Sequence, residues 1–318
     1  MITRITRSPR VASRLLGAGG VVAFPTETVY GLGADVFRPD AVEAIFRAKG
    51  RPQDNPLIVH VADTDQLARV AAQITPAAQL AMEAFFPGPL TVIVPRHPDL
   101  PLAVTAGLDT VGVRSPNHPV AQAFLRECDC PVAAPSANRS GRPSPTTWQA
   151  VSEELDGRVD AILKGGSSPI GLESTVIDCS RSCPVILRSG GISFEQLREV
   201  LPRIQLATGA VESEPARSPG MNHRHYAPTA QVQVVSGPHE VPPDQAATSA
   251  YIGLVGEGFT VKPHRVCVCT DLAEYARQLF RFFRTCEKAG VTSIYCQQVP
   301  ETGLGHALMD RIRRAAEG

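Results

Sequence analysis

The 318-residue chain is poor in aromatics, which make up 5% of it, and carries no surplus of either charge, with 31 Lys plus Arg against 31 Asp plus Glu. Proteins that coat nucleic acid need an excess of cations, and those that hold single strands need aromatic platforms for the bases. The composition therefore disfavours an RNA-binding module but leaves room for a local basic pocket around a phosphorylated small molecule. No run of roughly 18 apolar residues is present, so no membrane-spanning helix is expected. Arg4, Arg7 and Arg10 are not followed by an apolar stretch. No signal peptide is expected from them, and the expected location is cytoplasmic.

Several catalytic signatures are also missing. The eight cysteines, spaced as Cys128/Cys130, Cys179/Cys183, Cys267/Cys269 and Cys286/Cys296, include no Cys-x-x-Cys pair. They read as reduced thiols in a core or at strand edges, with Cys267 and Cys269 in what looks like a buried strand. There is no Gly-x-x-x-x-Gly-Lys-Ser/Thr loop and no Gly-x-Gly-x-x-Gly after a strand. Any nucleotide must be held in another way. Neither a Ser/His/Asp triad nor a His-Glu-x-x-His metal site is visible.

What is present is a foldable chain, 43% hydrophobic and 19% charged, long enough for about two domains. Its first two hundred residues alternate strand and helix signals, as an α/β domain does. Strands are predicted at Gly20–Phe24, Leu57–Val61, Leu90–Val94, Thr110–Arg114, Val159–Leu163, Ser174–Asp178 and Val185–Arg188. Asp40 to Lys49 places Ala41, Val42, Ile45 and Phe46 on one helical face, with Gly50 as the stop. Thr75-Pro76 opens a helix, and Ser193 to Gln196 fits a capping box. Periodicity does not yield the strand order. The pattern breaks from about Leu206 to Thr229, a Pro-rich stretch of small residues that reads as a linker. The division expected is therefore 1–205, a linker over 206–229, and a small α/β domain over 230–318. In the last, strands are predicted near Gln231–Val235, Tyr251–Val255, Arg265–Cys269 and Ser293–Val299, with helices over Asp271–Ala289 and about Gly305–Ala316.

Three segments could carry chemistry. In Ala48-Lys-Gly-Arg-Pro-Gln-Asp-Asn-Pro56, Lys49 and Arg51 stand two residues apart at a helix end. They would repel each other unless solvated or facing an anion. Lys offers a point charge and Arg a fork suited to phosphate or carboxylate, while Asn55 adds a neutral donor and acceptor. Equally, Lys49 could cap the helix dipole and Arg51 point to water. The second segment, Pro131 to Ser144, runs from an apolar strand into hydroxyls, an amide and two arginines, a composition that loops at strand ends use for ligands. The third, Pro25-Thr-Glu-Thr-Val-Tyr-Gly-Leu-Gly33, suggests glycines that let the backbone approach a ligand closely. Glu27 there reads as a base or as the partner of a cation. His60 lies in a strand, where a lone histidine is most often a satisfied core residue.

Read together, these segments resemble the YrdC family, in its long two-domain form, the threonylcarbamoyl-AMP synthases. Further matching stretches are Phe86-Pro-Gly-Pro-Leu-Thr91, Val111-Gly-Val-Arg114, Ala134-Pro-Ser-Ala-Asn138, Ser174-Thr-Val-Ile-Asp178, Ser218 to Pro228, and Gly303 to Arg311. The resemblance implies an α/β (α+β) fold: an open, twisted mixed sheet with a basic concave face, then a smaller Rossmann-like domain. It implies that L-threonine takes up bicarbonate or CO2 as a carbamate, which attacks the α-phosphorus of ATP to give threonylcarbamoyl-AMP and diphosphate. The product would pass to a tRNA-modifying complex that makes threonylcarbamoyladenosine at position 37, with no stable direct contact between this chain and nucleic acid. By motif position, threonine contacts fall on Thr28, His60, Arg114, Ala134 and Ser174. Nucleotide contacts fall on Arg51, Asn55, Thr110, Ser136, Asn138, Ser144, Arg188 and Tyr226, and Lys49 and Arg51 are the expected catalytic cations. Mg2+ is expected as cofactor, held mainly by the ATP phosphates and not by a protein metal site. Tyr226 places the linker over the cleft as a lid, although Asn222-His223 departs from the basic and aromatic residues usual there.

Overall fold

The computed structural model describes residues 2–207 and 226–317. Most of the expected linker and lid, with Asn222 and His223, lies outside the described residues.

Among them, eleven short strands build one large mixed sheet: β1 (Arg4–Thr6), β2 (Val22–Phe24), β3 (Gly31–Asp35), β4 (Ile58–His60), β5 (Leu90–Pro95), β6 (Thr110–Arg114), β7 (Val132–Ala133), β8 (Ala161–Leu163), β9 (Thr175–Asp178), β10 (Val185–Arg188) and β11 (Gln205–Leu206). Their order is β1-β8-β2-β3-β7-β4-β6-β5-β9-β10-β11. Alternation of side chains along each strand sorts residues to two faces. Ala23, Ala133 and Ile162 join a core with the helices Pro39–Lys49 and Pro76–Phe85. Their neighbours Val22, Phe24, Val132, Ala161 and Leu163 pack on the opposite side, with the helices Pro9–Gly17 and Pro119–Glu127.

The middle of the sheet differs. In β4, β6 and β5 the residues Val59, Val111, Val113, Leu90, Val92 and Val94 belong to the first core. Alternation then turns His60, Arg114 and Thr91 to the other face, and His60 pairs in register with Arg114 across two parallel strands. Alternation within each strand and register between them thus group polar residues on one face of the sheet.

The helix boundaries follow the capping residues. Thr75 accepts a hydrogen bond from Ala78 N–H, Ser193 and Gln196 form a reciprocal capping box, and Gly50 ends its helix in the left-handed conformation. The glycines of Pro25–Gly33 correct the sequence reading. Gly31 and Gly33 sit in β3, where a Cβ on Gly33 would come within 2.7 Å of Val132 and one on Gly31 within 3.1 Å of Phe24. Their first purpose is close packing of neighbouring strands, although Gly31 also borders the cleft.

The second unit is a parallel sheet of four strands, β12 (Gln231–Val235), β13 (Ser249–Gly253), β14 (Arg265–Val268) and β15 (Ser293–Gln297), ordered β12-β15-β13-β14. Its helices Leu272–Lys288 and Leu304–Ala316 share an apolar core to which Val29 and Leu172 of the first unit contribute. At that contact Gly171 has φ +84°, and a Cβ there would fall 2.4 Å from the Arg277 Cα. The two units meet backbone to backbone at this point. Cys267 corrects another expectation: β14 is an edge strand with Cys267 half-buried and Val268 51% exposed, because no strand among the described residues covers its outer side, whereas Cys269, just beyond the strand, is buried as expected. All eight cysteines are free. Among the described residues no helix is long and apolar enough to cross a membrane.

Candidate active site

A cleft of ≈ 720 Å3 opens on the polar face of the sheet, bounded on one side by Tyr226. At one end Arg114, 4% exposed, meets Glu27, also 4% exposed, at 2.7 Å. They meet as opposed charges and not as an aligned hydrogen bond. The Arg114 Nε–H donates to the Gly88 carbonyl at 3.3 Å, so the guanidinium is fixed from two directions with its remaining edge towards the cleft. Glu27 is therefore a cation's partner in this structure. His60 lies beside Arg114 with its ring edge-on to Phe24, and burial, reinforced by the Arg114 charge, pushes its pKa down to about 3. Near neutral pH the imidazole is uncharged, and its Nδ1 has no partner among the described residues. The hydroxyl pairs Thr26/Thr28 and Thr91/Ser174, each 2.8 Å apart, complete this end.

The other end is cationic. The Lys49 Nζ donates to the Ser136 carbonyl at 2.5 Å and to the Asn138 carbonyl. It ties the end of the helix Pro39–Lys49 to the loop after β7, and it is 3% exposed. Burial, with Arg51 adding to it, holds its ammonium well below the usual lysine range. Ser136 Oγ lies 2.5 Å from Asn138 Oδ1, and the Asn138 amide donates to the Arg139 and Arg142 carbonyls. Arg51 donates to the Asn55 and Pro56 carbonyls at 3.4 and 3.2 Å, while its Nε has no partner among the described residues. Burial lowers its guanidinium to about 10, against an opposing pull from Tyr226. Neither cation is the solvated helix-end charge that the sequence also allowed. For Lys49 the reason is tertiary, since the loop 134–142 supplies carbonyls to its ammonium, whereas Arg51 is taken by carbonyls of its own turn.

Arg188 donates to the Ser174 carbonyl through Nε and a terminal nitrogen, at 3.2 and 3.0 Å. Ser144 donates to Glu173 at 2.5 Å. Burial alone would raise Glu173, but Arg311 and Arg188 outweigh it and hold the carboxyl below the usual range. Tyr226 adopts φ +66° and stacks on Phe280 at 5.4 Å.

Thr28, Lys49, Arg51, His60, Arg114, Ala134, Ser136, Asn138, Ser144, Ser174, Arg188 and Tyr226 all line this one cleft. Two residues from the same expectation do not. Thr110 stands at the far end of β6 from Arg114 and lines a separate ≈ 300 Å3 cavity that adjoins the cleft at Ile58. Asn55 is buried under its own turn, where Arg51 takes its carbonyl. Reasoning from the sequence did not single out Glu173, which lines the cleft beside Ser174, or Tyr30, whose hydroxyl donates to the Gly166 carbonyl. Glu173 carried no signal, since its importance comes from partners remote in sequence.

Among the described residues, five cationic side chains line the cleft (Lys49, Arg51, Arg114, Arg142 and Arg188) against one carboxylate, Glu173. The chain as a whole is neutral, so the positive charge is concentrated by the fold. Such a site can hold a polyanion at one end and a small carboxylate at the other.

A family model described as telomere recombination (Sua5, YciO and YrdC) matches residues 14–190. A second, described as the C-terminal domain of threonylcarbamoyl-AMP synthase, matches 192–317. The chain is 41% identical over 317 residues to a threonylcarbamoyl-AMP synthase of Pyrococcus abyssi, covering 96% of this chain and 93% of that one. It is 42% identical over 330 residues to that of Bacillus subtilis, covering 98% and 94%. Among solved structures, Sua5 of P. abyssi complexed with L-threonine superposes with a TM-score of 0.90 at 40% identity, covering 99% of this chain and 97% of that one.

Proposed function

The chain belongs to the Sua5/YrdC family of threonylcarbamoyl-AMP synthases, which are nucleotidyl-transferring enzymes, and on that premise we propose that it joins L-threonine, bicarbonate and ATP into threonylcarbamoyl-AMP, with diphosphate and water as co-products. The observation that carries this reading is the cleft itself: a forked guanidinium held by a buried carboxylate at one end, and clustered cations at the other.

Threonine would place its carboxylate on Arg114, a bidentate match that Glu27 keeps oriented. Thr28, His60, Ala134 and Ser174 would surround the rest of the amino acid. Neutral His60 adds no second cation beside Arg114 and can hydrogen-bond the ligand's polar groups. ATP would lie against Arg51, Ser136, Asn138, Ser144, Arg188 and Tyr226, with Asn55 supporting Arg51 and Thr110 bordering the adjoining cavity. One carbamate oxygen attacks the α-phosphorus as the bond to the diphosphate oxygen breaks. Lys49, Arg51 and Arg188 offset the negative charge that gathers on the phosphoryl oxygens and the leaving group. No protein nucleophile is needed, because orientation and fixed charge account for the acceleration.

Mg2+ would arrive with ATP. Among the described residues no group of three or more His, Cys, Asp or Glu could hold a metal, and the one carboxylate lining the cleft is engaged by Arg311 and Ser144. The protein supplies cations to a metal–nucleotide complex, and the phosphates supply the metal's ligands. The mixed anhydride would pass to the complex that transfers the threonylcarbamoyl group to tRNA.

The test is diphosphate release by the purified chain. It should require both L-threonine and bicarbonate; release at the same rate without threonine would overturn the reading.

A further inference from the structure

Arg311 lies on the helix Leu304–Ala316 of the second unit, yet its guanidinium is 0% exposed and reaches the cleft wall of the first. A buried guanidinium carries a large desolvation cost, and an apolar side chain of similar volume is often as stabilising in such a place. Arg311 is bound on every edge. Its Nε donates to Glu173 at 2.8 Å, one terminal nitrogen to the Ser189 carbonyl at 2.9 Å, and the other to Asp310. Glu173 and Ser189 flank Ser174 and Arg188 in sequence, so a single planar group joins the two loops that present those residues.

Two consequences reach the cleft. Glu173 uses its other oxygen to accept from Ser144 at 2.5 Å, so Arg311 fixes the Ser144 hydroxyl through Glu173. The guanidinium also lies 5.2 Å over the Tyr226 ring, whose stacking partner is Phe280. Tyr226 holds a left-handed backbone that a bulky residue keeps only where its surroundings over-determine it. In contact with both Arg311 and Phe280, it meets that condition. Charge points the same way: among the described residues Glu173 is the one carboxylate lining the cleft, and uncompensated it would repel a polyanion.

We infer that Arg311 is a positioning residue for the nucleotide half of the cleft, setting Ser144 through Glu173, seating Tyr226 by its face, and cancelling the Glu173 charge. The inference rests on the proposed reaction for its substrate. The threonine half is held by Glu27 and Arg114, and the Ser174 hydroxyl is fixed separately by Thr91 at 2.8 Å, so the effect is selective.

The experiment uses the full chain with Arg311→Gln and Arg311→Lys. It measures the KM for ATP and for threonine, the Kd for ATP by calorimetry, and thermal melting. Expected for Arg311→Gln is a rise of about ten- to a hundredfold in the ATP KM and Kd, at an unchanged threonine KM. Arg311→Lys, which keeps the charge but loses the fork, should recover part of that. Equal rises in both KM values, or a lower kcat at unchanged KM values, would overturn the inference in favour of a structural role. Unchanged ATP binding in either folded variant, or failure of both to fold, would overturn it too. Wild-type diphosphate release that ignores threonine would defeat the reaction alone, leaving Arg311 to be judged by the Kd for ATP.

Discussion

Glu27 and Arg114 approach to 2.7 Å, each with 5% of its side chain exposed, and the pair forms one end of a cleft whose other lining charges are nearly all positive. A buried pair is strongly destabilised when one partner is removed, because the other charge is left uncompensated, at a cost of about 3–5 kcal/mol. Glu27→Gln keeps the shape but drops the charge. It should raise the threonine KM about tenfold or more while the ATP KM changes little, in line with a charge-assisted bond worth about 1.5–3 kcal/mol. Steady-state kinetics with each substrate varied separately checks this, and a larger effect on ATP would contradict the assignment of ends.

Arg51 and Arg47 occupy neighbouring turns, but Arg47 is exposed and Arg51 buried at the cleft. Arg51→Ala should lower kcat/KM by about 10²-fold or more, the usual cost of losing a group that offsets transition-state charge. Arg47→Ala should leave it unchanged. Comparable losses in the two variants would show that general charge, and not placement, matters.

Lys49 is held below its usual range by burial and by Arg51. A bound triphosphate favours the charged form, so ATP binding should raise the pKa of the amine. An NMR titration of the Lys49 side chain with and without ATP should show that rise, and no change would place the phosphates away from Lys49.

His60 supplies a pH dependence of definite sign. Its folded pKa of about 3 lies below the 6.5 of an ordinary histidine. Between these values the unfolded chain binds more protons than the folded one, so stability falls as pH falls through this window. From pH 6 to pH 5 this one group should remove about 1 kcal/mol. The measurement is the difference in unfolding free energy between wild type and His60→Asn at the two pH values, which cancels the other titrating groups. A constant difference would mean that His60 is not buried and neutral.

Ser144 lines the main cleft and Thr110 the smaller cavity beside it. Ser144→Ala should therefore raise the ATP KM more than Thr110→Val does. The reverse order would place the nucleotide mainly beyond Ile58.

Local signals were legible from the chain alone. The caps at Thr75 and Ser193, the stop at Gly50 and the strands β4 and β6 depend on neighbours within a few residues, and all appear where expected. The set of motifs also pointed to the family, because short segments keep their chemistry wherever the fold puts them. What the chain could not disclose was which charges meet. Glu27 read as base or partner until β6 placed Arg114 against it, and Lys49 read as solvated or functional until the loop 134–142 received its ammonium. Gly31 and Gly33 looked like ligand loops, but β2 and β7 made them packing positions. Glu173 and Arg311 are 138 residues apart and belong to different units, so no window of sequence joins them. Burial, register and charge pairing are properties of distant segments brought together, and the tertiary structure alone decides them.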